Sequence, residues 1–364
     1  MSEMRQENQI ALLPAGMLQY GQEPGERTPV HLLDEMDEPP RRLNSLLPDK
    51  NLPSKNERCD NMENNGQATT GVAPEGKKKS RIFKILARIV IVLLMLAIGI
   101  GAAVFFYARY TKTHYTITFY QKASKKVSQN IRLAVISDIH SREYGEDNAT
   151  LISDIQALKP DLILFLGDTI TKTDDDYEPM LNLVSRLSGI APCYGVLGNH
   201  ESERIYYLDD KQLPERFRNA GLKLLRNAQE TVSIGADKIQ LIGLEGTPYG
   251  FEEYGGRAFM DQVNFNPSTY CIVMHHIPIV FDSQLSGYDF DLGIAGHIHG
   301  GIVNLPFLGG VFGNEEGYFP RYCAGEYALG GQKALIISRG MGDSRPIPRI
   351  NNMPELVIID ISSY

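Results

Sequence analysis

Six of the eight histidines in this chain lie in four short groups, three of which also carry aspartate, asparagine or glycine. Together with Gly167-Asp168, the groups in chain order are Asp138-Ile139-His140, Gly167-Asp168, Gly198-Asn199-His200-Glu201, His275-His276 and Gly296-His297-Ile298-His299-Gly300. Three of them follow short apolar runs, as side chains at the ends of buried strands do. Imidazole, carboxylate and amide groups gathered at strand ends are typical of a hydrolase site that holds two metal ions.

A metal ion needs ligands that converge, and the spacing of these groups allows convergence. Asp138 and His140 are two residues apart, directly after a predicted strand, so both can face one site. Asp168 follows the apolar run Leu162–Leu166 through a glycine. Loops at the carboxyl ends of neighbouring strands in an α/β sheet meet in one place. A D-x-H or N-H pair alone has little specificity, whereas the ordered set is a strong signal.

The elements that must position these residues alternate along the C-terminal two-thirds of the chain. Short apolar runs predict buried strands, and spacings of three and four predict amphipathic helices between the early strands. The strands are expected at 114–120, 133–136, 162–166, 194–197, 239–242, 271–274, 292–294, 334–337 and 356–361. The helices are expected at 149–158, 179–187 and 214–220. This pattern predicts a layered α/β domain with one core.

The N-terminal third has a different character. Residues 1–80 are polar and aperiodic and are expected to form a disordered tail. Residues 81–110 hold an apolar run long enough to span a bilayer, and residues 111–364 would form the globular domain. A cleaved signal sequence is the alternative for the apolar run. More basic residues precede the run than follow it, which predicts a cytoplasmic N-terminus and an external C-terminal domain at the cell membrane.

Charge and cysteine content restrict the function. The 364-residue chain has a net charge of -8 and a pI near 5.6, so nucleic acid is not an expected partner. Four scattered cysteines are too few for a disulfide scaffold, and we expect them to behave as small apolar residues.

The ordered blocks D-x-H, GD, GNH, H and GHxH resemble those of the calcineurin-like metallophosphoesterase family. The resemblance covers residues 131–364 and is greatest to the bacterial membrane-associated subgroup. That subgroup's further motifs are matched at Leu305-Pro306-Phe307, Phe319-Pro320-Arg321-Tyr322 and Ser338-Arg339-Gly340. The resemblance implies a four-layer α-β-β-α sandwich that works as a metal-dependent phosphoric ester hydrolase.

The family pattern also implies a ligand set for two divalent ions, which are Mn, Zn or Fe in the family. The implied ligands are Asp138, His140 and His299 for the first ion, Asn199, His276 and His297 for the second, and Asp168 as the bridge. His200 would be catalytic and face the phosphate. Adjacent strand residues point to opposite faces, so only one of His275 and His276 is expected to be a ligand. His276 is preferred because it precedes Ile277-Pro278, as the subgroup's ligand does.

Two further residues, Arg339 and Tyr322, are candidates for substrate binding, Arg339 because a guanidinium suits phosphate. Together these features predict a membrane-anchored dinuclear hydrolase that cleaves a phosphodiester or pyrophosphate, lipid-linked because the domain begins only a few residues past the membrane. The alternatives are a pyrophosphatase of the UDP-2,3-diacylglucosamine type, a soluble nucleotide phosphodiesterase and a non-catalytic binding protein.

Overall fold

The computed structural model describes residues 75–246, 250–313, 316–343 and 347–364. The predicted disordered tail lies almost entirely outside these residues. The helices in the described part are α1 (Glu75–Thr111), α2 (Ala149–Leu158), α3 (Glu178–Ser188), α4 (Asn199–Tyr207), α5 (Leu213–Asn219), α6 (Gly256–Met260) and α7 (Ile279–Ser283). The first strands are β1 (Thr116–Ala123), β2 (Ile131–Ile136), β3 (Leu162–Phe165), β4 (Cys193–Gly195), β5 (Leu222–Leu224), β6 (Ala228–Ile234), β7 (Asp237–Gly243) and β8 (Tyr270–Met274). The later strands are β9 (Leu292–Ala295), β10 (Asn304–Leu305), β11 (Gly309–Gly310), β12 (Phe312–Gly313), β13 (Gly317–Tyr318), β14 (Gly325–Ala328), β15 (Ala334–Ile337) and β16 (Glu355–Ser362).

Two six-stranded sheets form the body of the domain. The first has the order β1-β16-β2-β3-β4-β5 and the second the order β14-β15-β9-β8-β7-β6. In the first sheet β2, β3, β4 and β5 run parallel to one another, and in the second β7, β8, β9 and β15 do. Parallel neighbours end at the same edge, so the loops after β2, β3, β4, β8 and β9 are delivered to one side of the domain.

The core has three layers of apolar contact. Side chains from both sheets, among them Leu164 and Ile272, pack face to face between the sheets. The outer face of the first sheet packs against α2, α3 and α5, and that of the second against the short helices α6 and α7. The predicted α-β-β-α sandwich is therefore confirmed. The cysteines that the structure describes are free, and Cys193 and Cys271 are buried.

Most predicted elements are found, with shifted ends. The helix expected at 149–158 matches α2, and the strand expected at 114–120 is β1, which begins at Thr116 and continues to Ala123. The strand expected at 194–197 ends at Gly195, because the chain then turns into the loop that carries Asn199. Helix α4 was not predicted, since its sequence has no apolar stripe of helical period beyond Ile205.

Helix α1 is longer than the predicted anchor. Within it, Arg81–Thr111 has a mean hydropathy of 3.0 over its most apolar window, none of which is buried, so it is long and apolar enough to cross a membrane. Its last turns contact the globular domain: Tyr107 Oη accepts a hydrogen bond from Asn352 N at 3.2 Å, and Thr111 O accepts one from Arg142 at 3.4 Å. The apolar helix thus leads directly into the domain.

Candidate metal centre

The seven residues predicted as ligands come from five loops and meet where the two sheets adjoin. Asp138 and His140 follow β2, Asp168 follows β3, and Asn199 begins α4 after β4. The remaining ligands come from the second sheet, His276 after β8 and His297 and His299 after β9. Strand β2 pairs in parallel with β3, β3 with β4, and β8 with β9, and this pairing brings the loops together.

Within this cluster the ligand atoms form two compact groups. One group is Asp138, His140 and His299, and another is Asp168, His276 and His297, with the atoms of each within 4.8 Å of one another. We call Asp138, His140 and His299 the helix-side half, because α1 lies nearest to it through the contacts described below. We call Asn199, His276 and His297 the open half, and Asp168 lies between the two halves.

The imidazole nitrogens face one another in pairs. His140 Nε2 lies 3.2 Å from His299 Nε2, and His297 Nδ1 lies 3.1 Å from His276 Nε2. Asp168 Oδ2 is 3.3 Å from His276 Nε2 and 3.7 Å from His140 Nε2. Nitrogen lone pairs directed at shared points beside carboxylates are the arrangement that a divalent cation satisfies.

Asn199 supplies an independent test of this fit. Its Oδ1 atom is buried and makes no hydrogen bond to the residues that the structure describes. A buried amide oxygen without a partner is destabilising unless a cation or another donor contacts it. Coordination of a metal ion beside His276 would give Asn199 Oδ1 the partner that it lacks.

Backbone strain is concentrated at the centre. Asp138, His140, Asp168, His297 and His299 have φ values of +50°, +48°, +50°, +73° and +51°. A side chain in this left-handed region costs free energy, and such residues persist where surrounding contacts hold them for function. Five of the seven ligand candidates therefore sit in strained conformations that fix their direction.

Two glycines allow the ligand loops to approach so closely. A Cβ atom on Gly198 would lie 2.1 Å from Asp168 Oδ1, and one on Gly296 would lie 2.3 Å from Asp138 Oδ2. Both distances are far inside van der Waals contact, so any side chain would push an aspartate out of place. This explains why glycine precedes Asn199 and His297 in the sequence.

Glu201 joins two ligand loops, a role that the sequence alone did not assign to it. Its buried carboxylate accepts hydrogen bonds from the backbone N–H groups of Asp168, Thr169, Ile170 and Gly198, at 2.7 to 3.1 Å. The loops after β3 and β4 are thereby tied to one side chain. Its place next to His200 on a polar helix start gave no signal of burial.

The charge state of the centre is set by close opposite charges. Burial favours the neutral form of the Asp168 carboxyl, but His276 and His140 outweigh it and hold that pKa well below its usual range. His276 is likewise affected by burial, which lowers its pKa, yet Asp168 and Asp138 raise it to about 10. Its Nδ1 atom donates to Leu166 O at 2.7 Å, so Nε2 is the atom presented to the centre. A metal ion that binds there must displace a proton from His276.

His200 lies beside the ligands with a defined orientation. Its Nδ1 atom accepts a hydrogen bond from Lys172 N at 3.0 Å, which in the neutral ring puts the proton on Nε2. The ring lies edge-on to His140, with centroids 4.6 Å apart. One ring nitrogen of His200 also lies within 4.8 Å of ligand atoms of His140 and Asp168. The neutral ring of His200 therefore offers an N–H donor beside the ligand candidates.

A buried arginine, also missed from the sequence, supports the helix-side half. Arg349 is 1% exposed, and its Nη2 atom lies 3.1 Å from His299 Nδ1. The guanidinium also donates to Asp343 Oδ1 at 2.7 Å and to the backbone oxygens of Arg339 and Gly342. Asp343 in turn accepts a hydrogen bond from Arg142, whose guanidinium reaches the end of α1. A chain of charged groups thus connects α1 with His299.

Three other residues from the sequence analysis take different positions. His275 points away from the centre, where its ring nitrogens contact Ile277 O and Gly246 O, and burial lowers its pKa to about 4. Arg339 is part-exposed and paired with Glu355 at 2.7 Å. Tyr322 is 1% exposed and packs in the core of the second sheet against Tyr327, so it has no open face for a substrate. We therefore do not retain Tyr322 as a substrate-binding residue.

Comparison with known proteins identifies the domain. The family model described as calcineurin-like phosphoesterase matches residues 131–301, which contain every ligand candidate. Residues 131–301 are therefore a calcineurin-like phosphoesterase domain. The chain is 27% identical over 268 residues to the metallophosphoesterase YkuE of Bacillus subtilis, covering 71% of this chain and 89% of that protein. It is 26% identical over 241 residues to the phosphodiesterase YaeI of Escherichia coli, covering 63% of this chain and 82% of that protein.

Solved structures of this fold are more distant. The phosphopantetheinyl hydrolase of Mycobacterium tuberculosis has a TM-score of 0.38 and 13% identity, covering 58% of this chain and 89% of that one. A purple acid phosphatase from yellow lupin has a TM-score of 0.36 and 12% identity, covering 67% of this chain and 56% of that one. As a metallophosphoesterase, the protein is a metal-dependent phosphoric ester hydrolase.

Proposed function

We propose that this metallophosphoesterase binds two divalent ions, Mn, Zn or Fe, and hydrolyses a phosphodiester or pyrophosphate that is lipid-linked and held in the same membrane as α1. Asp138, His140 and His299 would hold one ion, Asn199, His276 and His297 the other, and Asp168 both. Bound ions would polarise the phosphoryl group and supply a hydroxide nucleophile at neutral pH. His200 would donate its Nε2 proton to the leaving oxygen.

The contact between α1 and the centre is the observation that carries the membrane part of this proposal. The backbone N–H of Asn352 donates a hydrogen bond to Tyr107 Oη of α1, and the Asn352 side chain donates one to His299 O at 2.7 Å. Asn352 therefore connects the end of the apolar helix with a residue of the proposed metal centre. A site tethered at the bilayer surface meets lipid-linked molecules at a high effective concentration.

An exposed apolar hairpin supports the same placement. The tip between β10 and β11 carries Phe307 and Leu308, which are 106% and 65% exposed. The base of this hairpin contacts the segment that α1 contacts, because Asn351 Nδ2 donates to Asn304 O at 3.2 Å. A fully exposed phenylalanine does not pack on the core, and its side chain is suited to a lipid chain or to the bilayer interface. The orientation we propose places this domain outside the cell and the N-terminus in the cytoplasm.

Turnover assays on the full chain in detergent test the proposal in two steps. After removal of metal with a chelator, hydrolysis of bis-p-nitrophenyl phosphate is expected to return with two equivalents of Mn²⁺ or Zn²⁺. The second step compares long-chain and short-chain forms of one phosphate ester in nanodiscs. We expect the long-chain ester to be cleaved more efficiently. Phe307→Ser is expected to remove that preference, whereas Tyr364→Ser, a change at an exposed aromatic residue elsewhere, is expected to preserve it. Equal efficiency on both esters, unaffected by Phe307→Ser, would contradict a lipid-linked substrate, while the metal-dependent hydrolase activity would still stand.

A further inference from the structure

A cavity of about 220 Å³ opens beside the open half of the metal centre. Asn199 and His276 form part of its lining, so a phosphate bound at the centre would adjoin this space. Its walls include Tyr206 and Tyr207 from α4 and Tyr254 from the loop before α6. The cavity is therefore where one ester group of a substrate would lie.

The aromatic walls give the cavity its first chemical property. The rings of Tyr206 and Tyr254 have centroids 5.7 Å apart and are inclined at 50°. Tyr206, Tyr207 and Tyr254 are 46%, 78% and 37% exposed, so part of each residue is accessible to a ligand. The face of an aromatic ring carries negative electrostatic potential and attracts cations, most strongly a quaternary ammonium group held between several rings.

The charged groups of the lining give the cavity its second chemical property, a negative charge. Glu203 and Glu245 line the cavity, and among the residues that the structure describes no lysine or arginine does. Basic partners hold both carboxylates from outside the lining: Lys172 pairs with Glu203, and Arg226 pairs with Glu245 at 2.8 Å. These partners reduce the negative potential of the two carboxylates, and the tyrosine rings remain as groups that attract a cation. Carboxylates and aromatic faces together favour a cation over a second anion.

We propose that this cavity binds the alkylammonium group of an amino alcohol that is esterified to the scissile phosphate. The inference rests on the proposed function, since it places the phosphate at the metal centre. A two-carbon amino alcohol sets its nitrogen a short distance from phosphorus, which suits a cavity that directly adjoins Asn199 and His276. The substrate class is then a phosphodiester with one cationic head group and one other ester group.

Two chromogenic esters of the same shape test the charge preference. One is p-nitrophenyl phosphorylcholine, and the other is p-nitrophenyl 3,3-dimethylbutyl phosphate, in which carbon replaces the charged nitrogen. With the full chain loaded with Mn²⁺ in detergent, we expect kcat/KM to be about tenfold higher for the choline ester. Tyr254→Ala is expected to bring the ratio close to one, whereas Tyr254→Phe keeps the ring and the ratio. Tyr364→Ala, at an exposed tyrosine outside the cavity, is the matched control and leaves the ratio unchanged.

The outcomes separate this inference from the proposed function. A ratio of one or less in the unmodified protein, or a ratio that Tyr254→Ala does not change, overturns the cation site while diester hydrolysis stands. Absence of metal-dependent turnover on either ester and on bis-p-nitrophenyl phosphate overturns the proposed function. In that case calorimetry decides the cation site: phosphocholine must bind about tenfold more tightly than 3,3-dimethylbutyl phosphate, and Tyr254→Ala must remove the difference. Equal affinities overturn it.

Discussion

The two halves of the metal centre have contrasting surroundings. Behind the helix-side half lie Arg349, which is 1% exposed, and the chain of charged groups that reaches α1. Beside the open half lies a cavity walled by exposed tyrosines. We infer from this difference that the helix-side half is held in place by the scaffold and by the apolar helix α1, whereas the open half would meet the variable part of the proposed substrate. We therefore expect substitutions of the cavity tyrosines to change the substrate preference.

Asp168 tests the centre as a whole and should give the largest effect, because it lies between the halves. We expect Asp168→Asn to lose metal and turnover together, since an amide cannot replace a carboxylate shared by two ions. Elemental analysis and the bis-p-nitrophenyl phosphate assay measure both quantities in one preparation. Two tightly held metal ions with normal turnover in this variant would remove Asp168 from the bridging position.

His200 sharpens the distinction between ligands and the residue that acts on the substrate. His200→Ala is expected to keep its metal content and to lose about a hundredfold in kcat, as when a general acid is lost. Metal content per chain and turnover are measured in the variant and in the unmodified protein. Because a nitrogen of His200 lies within 4.8 Å of ligand atoms of His140 and Asp168, loss of metal with turnover retained on the remainder would make it a ligand instead.

Asp343 tests the scaffold side, with the smallest expected effect on activity. Burial raises the pKa of Asp343, but Arg349 and Arg142 outweigh it and hold that pKa below its usual value of 3.8. A carboxyl with a lowered pKa stabilises the fold above its unfolded pKa, and this contribution is lost as the pH falls through the lower folded pKa. Asp343→Asn should therefore lower the free energy of unfolding at pH 7 by about 3 kcal/mol, as expected when a buried ion pair is broken.

Measurements at low pH test whether the charge of Asp343 is the cause of this stabilisation. The difference in unfolding free energy between the unmodified protein and Asp343→Asn should shrink as the pH falls from 3.8 through the lower folded pKa, because Asp343 becomes protonated there and both proteins then lack the charge. Denaturant titrations at several pH values measure it. Asp209→Asn, at a carboxylate whose side chain is 81% exposed, is the control and should show little difference at any pH. A difference for Asp343→Asn that persists unchanged in acid would contradict the charge-based explanation.

The extent to which the sequence predicts the molecule differs between its parts. The ligand candidates were recognisable because chemically distinctive side chains follow buried strands in a fixed order, and strand polarity then dictates that they meet. Arg349 and Glu201 were not recognisable, because their roles depend on burial and on contacts to distant backbone groups, and a charged residue in a polar stretch gives no sign of either. The tyrosine cavity combines residues from α4 with Tyr254, about fifty positions later, and no local pattern links them.

Strand β16 has a consequence for how this protein is made. It lies between β1 and β2, and its pairing with β1 runs from Thr116 with Glu355 to Ala123 with Ser362. Strand β1 directly follows α1, so it leaves the ribosome long before its partner β16 has been synthesised. The first sheet can close only after β16 has also been synthesised, and such long-range pairing is slow to form. Until then β1 has an unpaired strand edge, a state in which assistance from a chaperone would be most valuable.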